Sequence, residues 1–117
     1  CDILVVALPG GAATHHLIDQ KIFAAMQSHA YFVNIARGDI VKETDLIEAL
    51  RSKKIAGAGL DVYEFEPKVP EELIEMENVV LLPHLGTASL EVRLGMGLMA
   101  VENIKSFLSG TELPNLV

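Results

Sequence analysis

Short apolar runs alternate along the chain with longer stretches in which apolar residues recur at helical spacing. Ile3-Leu-Val-Val-Ala-Leu8 is the first run, stopped by Pro9-Gly10-Gly11. Tyr31-Phe-Val-Asn-Ile35, Ile55-Ala-Gly-Ala-Gly-Leu60 and Val79-Val-Leu-Leu82 are the next three. Runs of this kind are typical of strands in parallel sheets with helices on both faces. Between the first two, Leu17, Ile18, Ile22, Phe23 and Met26 have helical spacing, with Asp19 as a suitable N-cap. Leu46, Ile47 and Leu50 mark a second helix, for which Thr44 is the expected cap. Arg51, Lys53 and Lys54 sit at its C-terminal end, where cations suit the helix dipole. Glu71 to Glu77 reads as a short acidic surface helix.

The longest periodic stretch is the last. It begins near Thr87 or Ser89, carries Leu90, Leu94, Leu98, Val101, Ile104 and Leu108 on one stripe, and ends at Gly110 ahead of Pro114. Val92, Met96, Met99 and Phe107 make a second side apolar, which predicts two neighbours for this helix. Gly95 and Gly97 inside it read as packing positions. Four alternations of strand and helix predict an α/β fold. The expected architecture is half of a doubly wound, Rossmann-type parallel sheet of about four strands, with flanking helices and a long C-terminal helix.

Composition narrows the function classes. A net charge of −7 argues against a basic nucleic-acid-binding face. No run approaches the roughly 18 consecutive apolar residues that a membrane span needs. The single cysteine, Cys1, excludes an internal disulfide and any multi-cysteine metal site, and fits an intracellular setting. His15, His16 and His29 lack acidic or cysteine partners at metal-ligand spacing and read as surface or capping residues. The chain opens one residue short of its first strand and without Met, so a lost upstream half is expected.

The chemistry sits where the apolar runs stop. Arg37 follows the second, Asp61 and Glu66 the third, and His84 the fourth. Parallel strands bring their C-terminal ends to one edge, where α/β proteins meet ligands. An Arg there can hold a carboxylate in two parallel bonds or merely pair with Asp39. A His beside a strand-end carboxylate is a candidate acid/base pair. Pro9-Gly10-Gly11 could offer N–H groups to a phosphate or form only a turn. Gly57-Ala-Gly59-Leu-Asp-Val62 is not a phosphate loop: its glycines lie inside the run, and Val62 stands where a third glycine belongs. Those glycines read as points of close approach.

Asn34-Ile-Ala-Arg-Gly-Asp-Ile-Val41, Gly57-Ala-Gly-Leu-Asp-Val62 with Glu66-Pro67, and Pro83-His-Leu-Gly-Thr-Ala-Ser89 together resemble the D-isomer-specific 2-hydroxyacid dehydrogenases. The resemblance implies that Arg37 binds the carboxylate of a small 2-oxo acid and helps polarise its carbonyl. It implies His84 as the acid/base, oriented by Glu66, since an adjacent anion stabilises an imidazolium. Asp61 would hold the nicotinamide carboxamide of NAD or NADP. Ile35, Ala36, Arg37, His84 and Gly86 would border the cofactor, and Leu8, Pro9 and Thr14 would flank its adenosine and pyrophosphate side. Glu64 receives no role beyond solvent exposure.

On this resemblance residues 1–87 are the C-terminal half of a dinucleotide-binding domain, and 88–117 are a helix and tail returning to a substrate domain. The family's glycine-rich fingerprint is missing from the chain. Gly10-Gly11 stands where a Leu-Thr-like pair is common, a feature similar to glyoxylate or hydroxypyruvate reductases. The implied whole is a cytoplasmic homodimeric oxidoreductase, with the isolated 117 residues inactive. A dinucleotide-sensing corepressor scaffold shares the fold and the Arg–Glu–His set, but tends to have an aromatic residue soon after the His, where Gly86-Thr87 stands here. Formate dehydrogenase is also similar, but has Gln as the His partner where Glu66 stands.

Overall fold

A computed structural model of the protein describes residues 1–116. Val117 lies outside the described residues. The chain forms two compact units, Cys1–Leu85 and Gly86–Val117.

The first unit holds β1 (Ile3–Val6), α1 (Gln20–Ala25), β2 (Tyr31–Asn34), a 3₁₀ turn (Gly38–Ile40), α2 (Glu43–Arg51), β3 (Gly57–Leu60), α3 (Glu71–Ile74) and β4 (Val79–Leu81). The strands lie in the order β1-β2-β3-β4, every pair parallel. The apolar runs therefore form the expected sheet. Strands β1, β2 and β4 stop short of the ends of their runs and β3 ends with its run, leaving Leu8, Ile35, Asp61 and Leu82 past the strand ends at one edge.

Strand alternation splits the sheet into two unlike faces. Val6, Phe32, Ala58 and Leu60 point into the core and are buried with Phe23 of α1, Leu46 and Leu50 of α2 and Leu73 of α3. Phe23 meets Phe32 edge to face, ring centroids 5.3 Å apart. Ile3, Val5, Tyr31 and Val80 point the other way and are exposed. The three helices of this unit thus supply one cover, not the two that continuous apolar runs lead one to expect. Gly57, itself buried, pairs with Tyr31 on this second face. A Cβ there would come within 2.5 Å of the Asn78 carbonyl oxygen, so this glycine does mark a close backbone approach.

Helix ends follow the sequence in part. Asp19 caps α1, its carboxylate accepting from the amides of Lys21 and Ile22 at 2.9 and 3.4 Å. Leu17 and Ile18 precede the helix, and Ile18 makes an isolated parallel bridge to Val41. Thr44 is not a cap. Helix α2 begins one residue earlier, behind Lys42, with no cap from its own sequence neighbourhood. Its first amide is served instead by Glu64, across the fold, at 3.0 Å.

The second unit is α4 (Leu90–Ser109) with the turns around it. Ser89 caps it, accepting from the Val92 amide at 3.2 Å, and Gly110 ends it in the left-handed conformation, both as expected. Its apolar stripe, from Leu90 through Leu98 to Leu108, is exposed, and no described residue of the helix is buried. Gly95 and Gly97 have open space where a Cβ would stand, so packing at these positions is not observed. Among the described residues no helix is long and apolar enough to cross a membrane.

Candidate active site

The edge beyond the strand ends gathers the polar residues of the first unit, and each is set by its local backbone. Asn34, the last residue of β2, is 1 % exposed. Its side-chain oxygen accepts from the Ala36 amide at 3.1 Å, and its amide group donates to the Arg37 carbonyl at 2.9 Å. This Asx-type turn folds the chain back on itself and presents Arg37 outward. Gly38 fixes the next step. A Cβ there would lie 1.9 Å from the carbonyl atoms of Tyr63, so only glycine lets the Arg37 turn sit against the Tyr63–Glu64 backbone. The guanidinium of Arg37 donates to the Ala36 carbonyl at 2.6 Å and makes no ion pair with Asp39 among the described residues.

Glu66 is held on both oxygens. One accepts from the Tyr63 amide at 3.0 Å, and the other faces His84 Nδ1 at 2.9 Å. Partial burial pushes the Glu66 carboxyl up. The hydrogen bonds from His84 and the Tyr63 amide, and the charges of His84 and Arg37, outweigh that and hold it below its ordinary value. Arg37 is thus within electrostatic reach of the pair.

His84 has φ 55°, the left-handed region that a non-glycine residue rarely takes. Asp61, 7 % exposed, accepts from the next amide, that of Leu85, at 2.7 Å, which pins the turn on the other side of the ring. Tyr63 closes the base of this turn with its hydroxyl donating to the Leu82 carbonyl at 2.8 Å. Burial, and then the Asp61 charge, push the Tyr63 phenol up, so it stays a neutral donor.

Beside this group lies a cleft of about 730 Å³ at the ends of β1 and β2. It brings together Leu8, Pro9, Ile35, Ala36 and Arg37, five of the residues expected at the cofactor. Ala7, Gly10, Gly11 and Asp39 complete its lining. At Gly10 a Cβ would stand 2.9 Å from Cγ of Arg37, filling space that the bare backbone leaves to the cleft. The polar side chains of the cleft are Arg37 and Asp39, a cation that suits a dinucleotide phosphate and a carboxylate that suits a ribose hydroxyl. Thr14 does not line the cleft. Its hydroxyl bonds the Pro9 carbonyl at 2.9 Å and stabilises the loop instead. A second cleft of about 340 Å³ holds Tyr63, Glu66 and His84. Gly86 opens the second unit, in the turn ahead of Ser89.

Sequence reasoning missed Asn34, Gly38 and Glu64. An Asn ending a strand was a visible signal with local partners, Ala36 and Arg37, whereas what Gly38 meets, Tyr63 and Glu64, comes from a distant segment. Glu64 is the clear correction. Its side chain is only 10 % exposed and accepts from His16 Nε2 at 2.7 Å as well as from the Glu43 amide. His16 is accordingly not a plain surface residue.

The chain belongs to the D-isomer specific 2-hydroxyacid dehydrogenases, whose NAD-binding domain matches residues 1–86. Within that class it is 46% identical over 112 residues to a glyoxylate/hydroxypyruvate reductase A of Arabidopsis thaliana, covering 96% of this chain and 36% of the relative. A glyoxylate reductase of Pyrococcus horikoshii is 44% identical over 116 residues, covering 99% of this chain and 35% of that protein. Among solved structures, the NADPH-dependent glyoxylate/hydroxypyruvate reductase of Sinorhizobium meliloti, crystallised with NADP and malonate, superposes with a TM-score of 0.97 at 40% identity. That match covers 99% of this chain and 36% of the other. The holo D-mandelate dehydrogenase of Rhodotorula graminis gives 0.93 at 43% identity, covering 97% and 33%. The chain therefore spans about a third of the length of the relatives it matches.

Proposed function

We propose that the whole protein transfers hydride reversibly between NADH or NADPH and a small 2-oxo acid such as glyoxylate or hydroxypyruvate, forming the D-2-hydroxy acid. The observation that carries this reading is the His84–Glu66 contact at 2.9 Å, at the strand edge and within the field of Arg37. The family match and the names of the relatives support the cofactor and substrate class.

The bound dinucleotide would supply the hydride; the chain supplies the rest. Arg37 offers a planar fork that holds the carboxylate of the oxo acid and polarises the adjacent carbonyl. Glu66 occupies Nδ1 of His84, which leaves Nε2 as the nitrogen that gives the carbonyl oxygen its proton and takes it back in the reverse direction. Because both oxygens of Glu66 are engaged, the imidazole is fixed in tilt as well as in tautomer. Leu8, Pro9, Ile35 and Ala36 would line the dinucleotide, with Thr14 setting their loop and Asp61 near the nicotinamide. Residues 1–87 would then be half of the dinucleotide domain, and 88–117 the return to a substrate domain.

The test is a panel of 2-oxo acids against the full-length protein with NADH and with NADPH. Turnover of glyoxylate or hydroxypyruvate is expected, and His84→Ala should lower kcat by about two to four orders of magnitude while dinucleotide affinity changes little. Tight dinucleotide binding with no turnover of any oxo acid would instead favour the corepressor-type scaffold.

A further inference from the structure

Outside the Arg37–Glu66–His84 group, the first unit brings together a second cluster of titratable side chains: half-buried His16 and Glu64 and buried Glu43. We propose that Glu64 is a positioning residue that ties the cofactor-side loop to the segment carrying Glu66, so that dinucleotide binding and the acid/base pair are set by one carboxylate. The inference rests on the function proposed above for what the two loops do, but the knot itself does not.

The geometry is a three-way junction. Glu64 lies in the loop after β3, two residues before Glu66. One of its oxygens accepts from His16 Nε2 at 2.7 Å, and His16 belongs to the loop after β1 that also forms the Pro9–Gly11 wall of the larger cleft. Its other oxygen accepts from the Glu43 amide at 3.0 Å, at the start of α2 after β2. The Glu64 amide returns the contact, donating to Glu43 Oε1 at 3.3 Å. One side chain thus joins the loops following three successive strands.

Each partner is itself constrained. His16 takes φ 52° and donates its amide to the Asp39 carbonyl at 2.9 Å, so its ring is aimed rather than swinging. Glu43 is buried at the positive end of α2, where the Glu64 carboxylate stands in for the missing cap. An Ala at position 64 would leave both junction arms without their acceptor. The backbone hydrogen bonds between these loops, such as Ile18 to Ile40 and Lys42 to Ile18, do not reach the Glu66 segment. Glu64 does.

The experiment is a double-mutant cycle of His16→Ala and Glu64→Ala in the full-length protein, read by steady-state kinetics and by amide hydrogen exchange. His16→Ala should raise the KM for NADPH about tenfold with kcat within about twofold, whereas Glu64→Ala should raise that KM similarly and also lower kcat. The double variant should show the KM of Glu64→Ala alone. Glu64→Gln, which keeps the acceptor for the Glu43 amide and offers a donor to His16, should recover most of the KM. Exchange should quicken over residues 11–16 in Glu64→Ala, far away in sequence. KM effects that multiply, or unchanged exchange at 11–16, overturn the proposal. The exchange readout does so whether or not the protein turns over an oxo acid, so failure here is distinct from failure of the proposed reaction.

Discussion

At the scale of single residues, the site depends on backbone made to take unusual shapes by specific side chains. Arg37 faces outward because Asn34 closes the turn beneath it with two hydrogen bonds. Asn34→Ala would bury an amide and a carbonyl without their partners, costing roughly 1–3 kcal/mol each, and would loosen the Arg37 turn. It should therefore imitate Arg37→Lys, which removes the fork and leaves a point charge. Both variants of the full-length protein should raise the KM for the oxo acid by at least about tenfold, with smaller effects on that for the dinucleotide. An unchanged oxo-acid KM in Arg37→Lys removes Arg37 from the substrate. His84 shows the same logic: its left-handed backbone is kept by Asp61 on the Leu85 amide and by Glu66 on the ring.

At the scale of elements, α2 has an electrostatic account with a pH signature. Burial pushes the Glu43 carboxyl up, the bond from the Glu64 amide pulls it down, and the Glu64 charge pushes it up again, leaving it above its ordinary value. A carboxyl raised on folding contributes stability that is complete below its unfolded value, near 4.5, and is lost as pH rises through the folded value. Glu66 has the opposite sign. It is depressed, so its contribution is present above its ordinary value of 4.5 and lost as pH falls through the folded one. Glu43→Gln keeps an acceptor for the Glu64 amide but no longer ionises. Its Tm should match the wild type in acid and exceed it at neutral pH, as thermal melts across that range will show. A Tm advantage that shrinks as pH rises refutes the assignment of burial as the dominant cause.

At the scale of the whole molecule, two apolar surfaces stand out. Ile3, Val5, Tyr31 and Val80 make one sheet face exposed, Val80 by 64 %, and α4 exposes its stripe, Leu90 by 79 %. Isolated apolar side chains on a surface are ordinary, but contiguous ones invite association. The 117 residues alone should therefore bind an apolar dye and self-associate, and Tyr31→Lys with Val80→Lys should reduce both without unfolding the sheet. The same isolated chain should not turn over glyoxylate or hydroxypyruvate; appreciable activity would contradict the proposal that residues 1–87 are only half of a dinucleotide domain.

Periodicity and punctuation in the sequence determined the four parallel strands, the caps Asp19, Ser89 and Gly110, and the placing of Arg37, Glu66 and His84 just past three strand ends. These are local properties: a strand's length, a helix's stripe and a turn's residue preferences are written within a dozen positions. Tertiary structure alone decided the rest. Thr44 fails as a cap because Glu64, twenty-one residues away from Glu43, reaches its helix first. The sheet has one covered face because cover comes from packing, while an apolar run records only that both faces want it. Glu64 looked like a solvated charge because its partners, His16 and Glu43, become neighbours only when the loops of three strands meet.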